Sequence, residues 1–390
     1  MYGMARSGRA VAARLEERGD EVVAVDRKLG NEQDLDLLTG VDVLVKSPGV
    51  PGEAMLVAAA RDRGIPVWSE VEAAWRLLPP GTRVVGVTGT NGKTTTTELL
   101  GAIFRRARRE VAVAGNVGTP LATVRDAEWV VCELSSFQLE DVETLACDVA
   151  VLLNLEPDHL DRHESFDAYR DAKLRIFERA RVAVVPRSFP LGDRYDSTSV
   201  VEFDGSDPLP AEPLIRGAHN RENAAAATAA ARATGVADEA VADALRTFPG
   251  VPHRLELVAT VDGISFVNDS KATNVAAARR ALDAYADEPV HLILGGSLKG
   301  ESFAPLVGAL GDNVRSVHLV GEASDELAAA LDGRAFERDG TLDRAVEHAF
   351  AEAASGDVVL LSPACASYDQ YDNFEQRGEH FRRLVESLAT

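Results

Sequence analysis

Arg83-Val84-Val85-Gly86-Val87-Thr88-Gly89-Thr90-Asn91-Gly92-Lys93-Thr94 is the stretch on which the reading of this chain turns. A β-branched run breaks into a glycine-rich turn and ends in Lys-Thr, which predicts a strand, a phosphate-cradling loop and the start of a helix. In such a loop backbone N–H groups face phosphate oxygens, the lysine adds positive charge, and the Thr94 hydroxyl suits the Mg²⁺ that travels with a nucleotide. ATP is the first ligand these residues suggest. The spacing departs from the general phosphate-loop pattern, because Val87 stands where the first glycine would fall and Gly86 and Gly89 lie on either side. A plain Gly/Thr-rich turn is the competing reading of the segment taken alone.

Outward from this loop, 390 residues exceed what one hydrophobic core usually serves, so two or three domains are expected. Apolar residues make up 46% of the chain, yet no uncharged apolar run is long enough to span a bilayer and no signal segment opens the sequence. A soluble cytoplasmic protein without membrane insertion is the expectation. Cys132, Cys147 and Cys365 lack metal-ligand spacing, and so few argue against a disulfide framework. A net charge of −21 disfavours general affinity for nucleic acid or anionic lipid. The basic cluster Arg105-Arg106-Ala107-Arg108-Arg109 falls at the end of the helix opened by the loop, where cations complement the helix dipole.

The chain reads as three α/β domains. Residues 1–78 alternate Gly-rich turns, helices and short strands at Val22–Asp26, Val41–Val45 and Ile65–Val67; Pro79-Pro80-Gly81 marks a joint. Only Met1 and Tyr2 precede the first glycine-rich turn, so a truncated or misassigned start is expected there rather than a missing strand. Residues 79–250 carry the phosphate loop and an alanine-rich helix after Asn220, with Ser188–Pro213 read as a hairpin or loop excursion. After a second joint near Phe248-Pro249-Gly250, residues 251–390 alternate strands and helices again.

Four further segments carry candidate chemistry. Glu133-Leu134-Ser135-Ser136-Phe137-Gln138 follows an apolar strand, which places Glu133 at a strand's carboxyl end as a possible Mg²⁺ ligand or merely a helix cap. Asn154-Leu155-Glu156-Pro157-Asp158-His159-Leu160-Asp161 repeats that placement; by composition His159 reads as a hydrogen-bonded loop residue, since Mg²⁺ prefers oxygen. Lys173 lies in Ala172-Lys173-Leu174-Arg175-Ile176 on a helix, and without other information reads as a solvated lysine pairing with Asp171 or Glu178. Asn268-Asp269-Ser270-Lys271-Ala272-Thr273 follows a strand; Asp269 suits ribose hydroxyls and Lys271 phosphate or carboxylate, while Asp269 and Ser270 also suit a helix cap.

The Gly89-Thr90-Asn91-Gly92-Lys93-Thr94-Thr95 form resembles the central domain of the Mur ligase and folylpolyglutamate synthetase superfamily, ATP-dependent enzymes that join an amino acid to a carboxylate. The resemblance implies an N-terminal Rossmann-like UDP-binding domain, a central P-loop ATPase domain and a C-terminal Rossmann-like domain. It further implies that His159 joins Thr94 and Glu133 as a metal ligand and that Lys173 carries a CO₂-derived carbamate. An ammonium has no lone pair for a metal, whereas the carbamate is anionic and bears oxygen. Lys93, Lys173, His159 and Glu133 are then the catalytic set. Residues 89–95, Asn220, Asn223, Arg254, Asp269 and Lys271 hold ATP.

Leu361-Ser362-Pro363-Ala364-Cys365-Ala366-Ser367-Tyr368-Asp369-Gln370-Tyr371-Asp372-Asn373-Phe374-Glu375-Gln376-Arg377-Gly378, with Gly295-Gly296-Ser297-Leu298-Lys299-Gly300, is similar to the D-glutamate-adding branch. By that likeness Thr273, Lys299, Ser367 and Phe374 surround D-glutamate. Ser7, Gly8, Asp26, Arg27, Ser47, Asn116, Ser135 and Gln138 meet UDP-N-acetylmuramoyl-L-alanine. Tyr368 and Tyr371 depart from the branch, which usually has apolar residues or phenylalanine there. The implied protein is a monomer working in peptidoglycan precursor synthesis through an acyl phosphate, with domain closure gating turnover. The competing readings are a sister ligase such as folylpolyglutamate synthetase and a nucleotide-dependent binding protein without ligase activity.

Overall fold

The strand Arg83–Thr88 is buried after its first residue, and Trp129–Glu133 and Val149–Leu152 are buried at every position. Continuous burial, rather than alternation, means that both faces are covered, as parallel strands flanked by helices require. In the computed structural model, which describes residues 1–192, 195, 198–298, 300, 302–331 and 333–388, these strands lie at the centre of a six-stranded parallel sheet. Its order is Val111–Gly115, Trp129–Glu133, Arg83–Thr88, Val149–Leu152, Val182–Pro186, Ser199–Phe203. The two strands that follow Arg83–Thr88 in sequence lie on one side of it and the next three on the other, so the order reverses there. Open α/β sheets take ligands at such a reversal, beyond the carboxyl ends of the strands. The helix Lys93–Arg106 covers the sheet with Leu99, Leu100, Ile103 and Phe104, and Phe104 meets Trp129 edge-on at 5.2 Å between ring centroids.

Two expectations about this sheet and its flank need correction. The stretch 188–213 is more than an excursion, because Ser199–Phe203 adds the sixth strand. Its pattern of mostly exposed side chains is that of an edge, which hides it from a search for apolar runs. The segment Val22–Asp26 contributes a single bridge at Val25, and the N-terminal strands fall at Leu44–Lys46 and Val67–Ser69. Tyr2 forms parallel bridges to both Val25 and Lys46, so the two residues before the first turn occupy the central strand position.

Met1–Pro213 and His219–Phe248 form one compact unit that contains both of these sheets; Leu214–Ala218 and Pro249–Thr390 form a second. Within the first unit the N-terminal portion docks through Lys46, which is 1% exposed and pairs with Glu140 at 3.1 Å and Asp141 at 3.0 Å. Arg162 adds hydrogen bonds to the carbonyls of Pro48 and Val50. The second unit holds a sheet in the order Glu337–Gly340, Val314–Val320, Val290–Gly295, Val358–Leu361, Ile264–Asn268, Glu256–Val261, parallel except for the last pair. That antiparallel hairpin turns at Asp262-Gly263, both with positive φ, the turn that matches strand twist. Among the described residues the architecture is therefore α/β with three sheets. Among the described residues, no helix is long and apolar enough to cross a membrane.

Candidate active site

The loop after Arg83–Thr88 ends at Gly92, whose φ of +83° caps the helix Lys93–Arg106 without a side-chain partner for the first amides. Those outward N–H groups make a ready anion site. A Cβ at Gly92 would stand 2.1 Å from Asn223 Oδ1, so glycine is required both by backbone and by space. Asn223 is buried and bonds Asn220 at 3.3 Å, which brings both predicted asparagines of the alanine-rich helix to this loop. Thr94 and Thr95 follow in the first helical turn, Thr95 buried.

Neighbouring strand ends fix the loop. Asn154 Oδ1 accepts from the Asn91 amide at 2.9 Å, Thr90 Oγ1 donates to the Glu156 carbonyl at 3.1 Å, and Asn91 Nδ2 donates to Glu156 at 3.0 Å. Tyr169 Oη lies 2.9 Å from Thr90 Oγ1. Lys93 Nζ donates to the carbonyls of Gly89 and Thr90, each at 2.9 Å. Lys173, expected from local sequence to be solvated, is instead 2% exposed and donates to the Gly89 carbonyl at 2.8 Å. Asp171 pairs with Arg170 and Glu178 with Arg175. Burial pushes the Lys173 amine down to about 7, helped by the nearby Lys93 charge. A neutral amine is the form that reacts with CO₂.

Glu133 is buried at the end of its strand and accepts from Asn116 Nδ2 at 3.2 Å. The helix beyond it is capped by Ser135, whose hydroxyl accepts from the Gln138 amide at 3.3 Å while the Gln138 side chain accepts from the Ser135 amide at 2.9 Å. Glu133 is therefore not the cap. Gln138 Nε2 donates to Glu70 Oε1 at 2.7 Å, so the side chains of Ser135 and Gln138 both hold structure. His159 is half exposed, with φ of +51° and its ring 4.9 Å from Phe137. Among the described residues Glu133 and His159 do not belong to a ready-made trio of metal-ligating His, Cys, Asp or Glu side chains. Thr94 and Glu133 offer the oxygen donors that a hard cation prefers, and a buried carboxylate with one amide partner suits such an ion.

A cavity of about 600 Å³ gathers Ser7, Asp26, Arg27, Ser47 and Asn116, five residues predicted from widely separated segments. Gly8 packs where a Cβ would meet the Gly3 carbonyl at 1.9 Å. Asp26 accepts from the amides of Met4 at 2.6 Å and Lys28 at 2.9 Å, and these bonds hold its carboxyl below the usual range.

In the second unit Asp269 is buried and accepts from Ser362 Oγ at 2.8 Å and the Leu255 amide at 3.2 Å; burial raises its carboxyl to about 7. The helix cap expected from Asp269 or Ser270 is made by Asn274, which accepts from the Ala277 amide at 2.8 Å. Lys271 Nζ lies 5.8 Å from the Phe374 ring centre, and the Thr273 amide donates to the Lys271 carbonyl at 2.8 Å. Arg254 contributes a favourable charge to Asp269. Ser367 is buried, its carbonyl accepting from the Tyr371 amide at 2.8 Å. Lys299 lies outside the described residues. Sequence reasoning missed the buried Arg377, which donates to the carbonyls of Ser270, Cys365 and Ala366 and so ties the C-terminal signature to the Asp269 loop. It also missed Tyr169 and Glu70; Glu70 is buried, and burial pushes its carboxyl up to about 7. Only the helical spacing of Tyr169 and Lys173 hinted at a shared face.

Comparison with known proteins agrees with this geometry. Residues 87–202 match the Mur ligase middle domain and residues 253–365 the Mur ligase glutamate ligase domain. UDP-N-acetylmuramoylalanine–D-glutamate ligase of Acidobacterium capsulatum is 40% identical, with 99% of this chain and 95% of that protein covered. The ligase of the same description from Anaeromyxobacter dehalogenans is 42% identical, with 100% and 97% covered. Among solved structures, UDP-N-acetylmuramate-alanine ligase MurC from Thermotoga maritima superposes with a TM-score of 0.62 at 20% identity, covering 99% of this chain and 98% of that one. The chain belongs to the Mur ligase family.

Proposed function

We propose that the protein is an ATP-dependent ligase that adds D-glutamate to UDP-N-acetylmuramoyl-L-alanine. The observation that carries the chemistry is the Lys173 amine, buried against Gly89 of the phosphate loop and shifted toward neutrality. The choice of acceptor is supported by the full-length likeness to D-glutamate ligases. The working division is a UDP-sugar domain over 1–78, an ATP domain over 79–250 and an amino-acid domain over 251–390.

Thr94, Glu133, His159 and a carbamate on Lys173 would hold Mg²⁺, which when bound would neutralise charge on the phosphoryl groups. Lys173 acquires the carbamate when its neutral amine attacks CO₂, forming an N–C bond and releasing one proton. The loop amides and Lys93 bind and orient the phosphates. Asn220 and Asn223 pack beneath the loop, and Arg254, Asp269 and Lys271 complete the residues assigned to ATP. Ser7, Gly8, Asp26, Arg27, Ser47 and Asn116 seat the UDP-sugar, with Ser135 and Gln138 beside it; Thr273, Lys299, Ser367 and Phe374 receive D-glutamate.

The L-alanyl carboxylate attacks the γ-phosphorus of ATP and ADP leaves. The D-glutamate amine then attacks the acyl phosphate carbon, loses a proton, and phosphate departs as the amide forms. The protein's contribution is positioning and charge stabilisation. Synthesis in the cytoplasm by a monomer completes the reading.

Phosphate release from ATP with Mg²⁺ and UDP-N-acetylmuramoyl-L-alanine, measured with D-glutamate, L-glutamate, L-lysine or no amino acid, tests it. Release that requires D-glutamate and yields a product heavier by one glutamate residue is expected. Equal release with and without an amino acid would overturn the ligase reading, and release dependent on another amino acid would overturn the choice of acceptor.

A further inference from the structure

On the face of the second unit's sheet covered by the helix Leu342–Glu352, toward the amino ends of its strands, lies a polar cluster that the ligase reading does not use. His291 and Ser316 are direct cross-strand partners, and His318 follows two residues later on the same face. Ser316 Oγ is 2.8 Å from His291 Nδ1 and 2.8 Å from His318 Nε2. Each imidazole's other nitrogen meets a carboxylate: His291 Nε2 lies 3.1 Å from Asp357 Oδ2, and His318 Nδ1 lies 2.9 Å from Asp339 Oδ2. His348 Nδ1 bonds the remaining Asp339 oxygen at 2.5 Å.

An ionised carboxylate only accepts, so Asp357 and Asp339 place the protons on His291 Nε2 and His318 Nδ1. Two lone pairs, on His291 Nδ1 and His318 Nε2, then converge on one serine hydroxyl that has a single proton to give. Both rings are almost completely buried, where an unanswered lone pair is costly. Glu352, at the end of the covering helix, brings a carboxylate oxygen to 3.6 Å from His318 Nε2 and is 45% exposed. One potential ligand atom from each of His291, His318 and Glu352 lies within 4.8 Å of the other two.

We propose that His291 Nδ1, His318 Nε2 and the Glu352 carboxylate bind a divalent transition-metal cation of the Zn²⁺ class. Two imidazoles and one carboxylate suit such an ion, and water fills the fourth tetrahedral position. Bonds of about 2.0–2.1 Å set tetrahedral ligand atoms about 3.3 Å apart. The His318 to Glu352 distance is close to that value, and the exposed Glu352 side chain closes the remainder while the Ser316 hydroxyl turns to another rotamer. The pairs Asp357–His291 and Asp339–His318 are the outer-shell arrangement that orients imidazole ligands and raises their basicity. Asp357, Asp339, which His348 shares, and Glu352 surround the two rings with the acidic groups a cation needs. The site does not depend on the ligase chemistry, and none of the proposed Mg²⁺ ligands belongs to it.

Equilibrium dialysis of the full chain against Zn²⁺, with metal content measured, tests the proposal. Co²⁺ substitution supplies a spectral readout of coordination number. Wild type and His159→Ala should each retain one equivalent and show the visible bands of four-coordinate Co²⁺. Glu352→Ala, whose exposed side chain makes folding insensitive to the change, should bind at least about ten-fold more weakly, and His318→Gln should lose the bands. Zn²⁺ binding that disappears in His159→Ala, or that is equal in wild type and Glu352→Ala, would overturn the site. So would absence of binding, with one imidazole carrying the extra proton instead.

Discussion

At the scale of single residues, Lys173 and Glu70 show how burial changes chemistry without any change of residue type. The Lys173 amine titrates near 7 rather than 10.5 because water is excluded and Lys93 is close. Its neutral fraction therefore rises as pH increases through about 7, and the proposed carbamate is expected to form more readily with it at fixed dissolved CO₂. Ligase turnover in CO₂-depleted buffer should fall and recover on adding bicarbonate, more completely at pH 8 than at pH 6 (about one unit either side of that value). Lys173→Met should be inactive and indifferent to bicarbonate. Glu70 is the opposite case: its folded carboxyl titrates near 7 against an ordinary 4.5, so the folded state binds more protons between those values. Stability attributable to Glu70 is present below 4.5 and is lost as pH rises to about 7. Denaturant midpoints followed across that window should fall less steeply for Glu70→Gln than for wild type, since the amide keeps the shape and cannot ionise. Neither shift was legible from sequence, because both come from neighbours distant in the chain.

At the scale of elements, the phosphate loop is held from below by a helix more than a hundred residues further on. Gly92→Ala places a methyl 2.1 Å from Asn223 Oδ1 and forces alanine into a left-handed conformation at φ +83°. The backbone part alone costs about 1–2 kcal/mol. Nucleotide affinity measured by calorimetry should fall by at least ten-fold. Ser135→Ala should cost about 1 kcal/mol in denaturant unfolding, because it leaves an N-terminal amide unsatisfied. The strand, loop and helix of residues 83–106 were legible as a unit, since β-branched residues, glycines and Lys-Thr mark each part locally. The edge strand Ser199–Phe203 was not, because its stabilisation comes from pairing with Val182–Pro186 rather than from its own apolar pattern.

At the scale of the whole molecule, the joint expected at Pro79-Pro80-Gly81 lies inside one compact unit. Lys46 explains the tight association within it, as a buried cation held by Glu140 and Asp141. Removing one partner of such a cluster leaves uncompensated charge, so Lys46→Met should lower the unfolding free energy by about 3 kcal/mol, read from urea titration of the full chain. The sequence by itself determined the parallel α/β class, the position of the phosphate loop, the acids at two strand ends and the C-terminal signature, because each is written in contiguous residues whose local geometry constrains them. Only the tertiary structure decided that Lys173 is buried against Gly89, that Asn223 fills the space beside Gly92, that Asn274 rather than Asp269 caps its helix, and that His291, His318 and Glu352 converge. Those facts depend on which side chains share a closed volume after strands and helices pack. Burial, charge and hydrogen bonding across that volume are properties of the assembled chain, and no run of neighbouring residues encodes them.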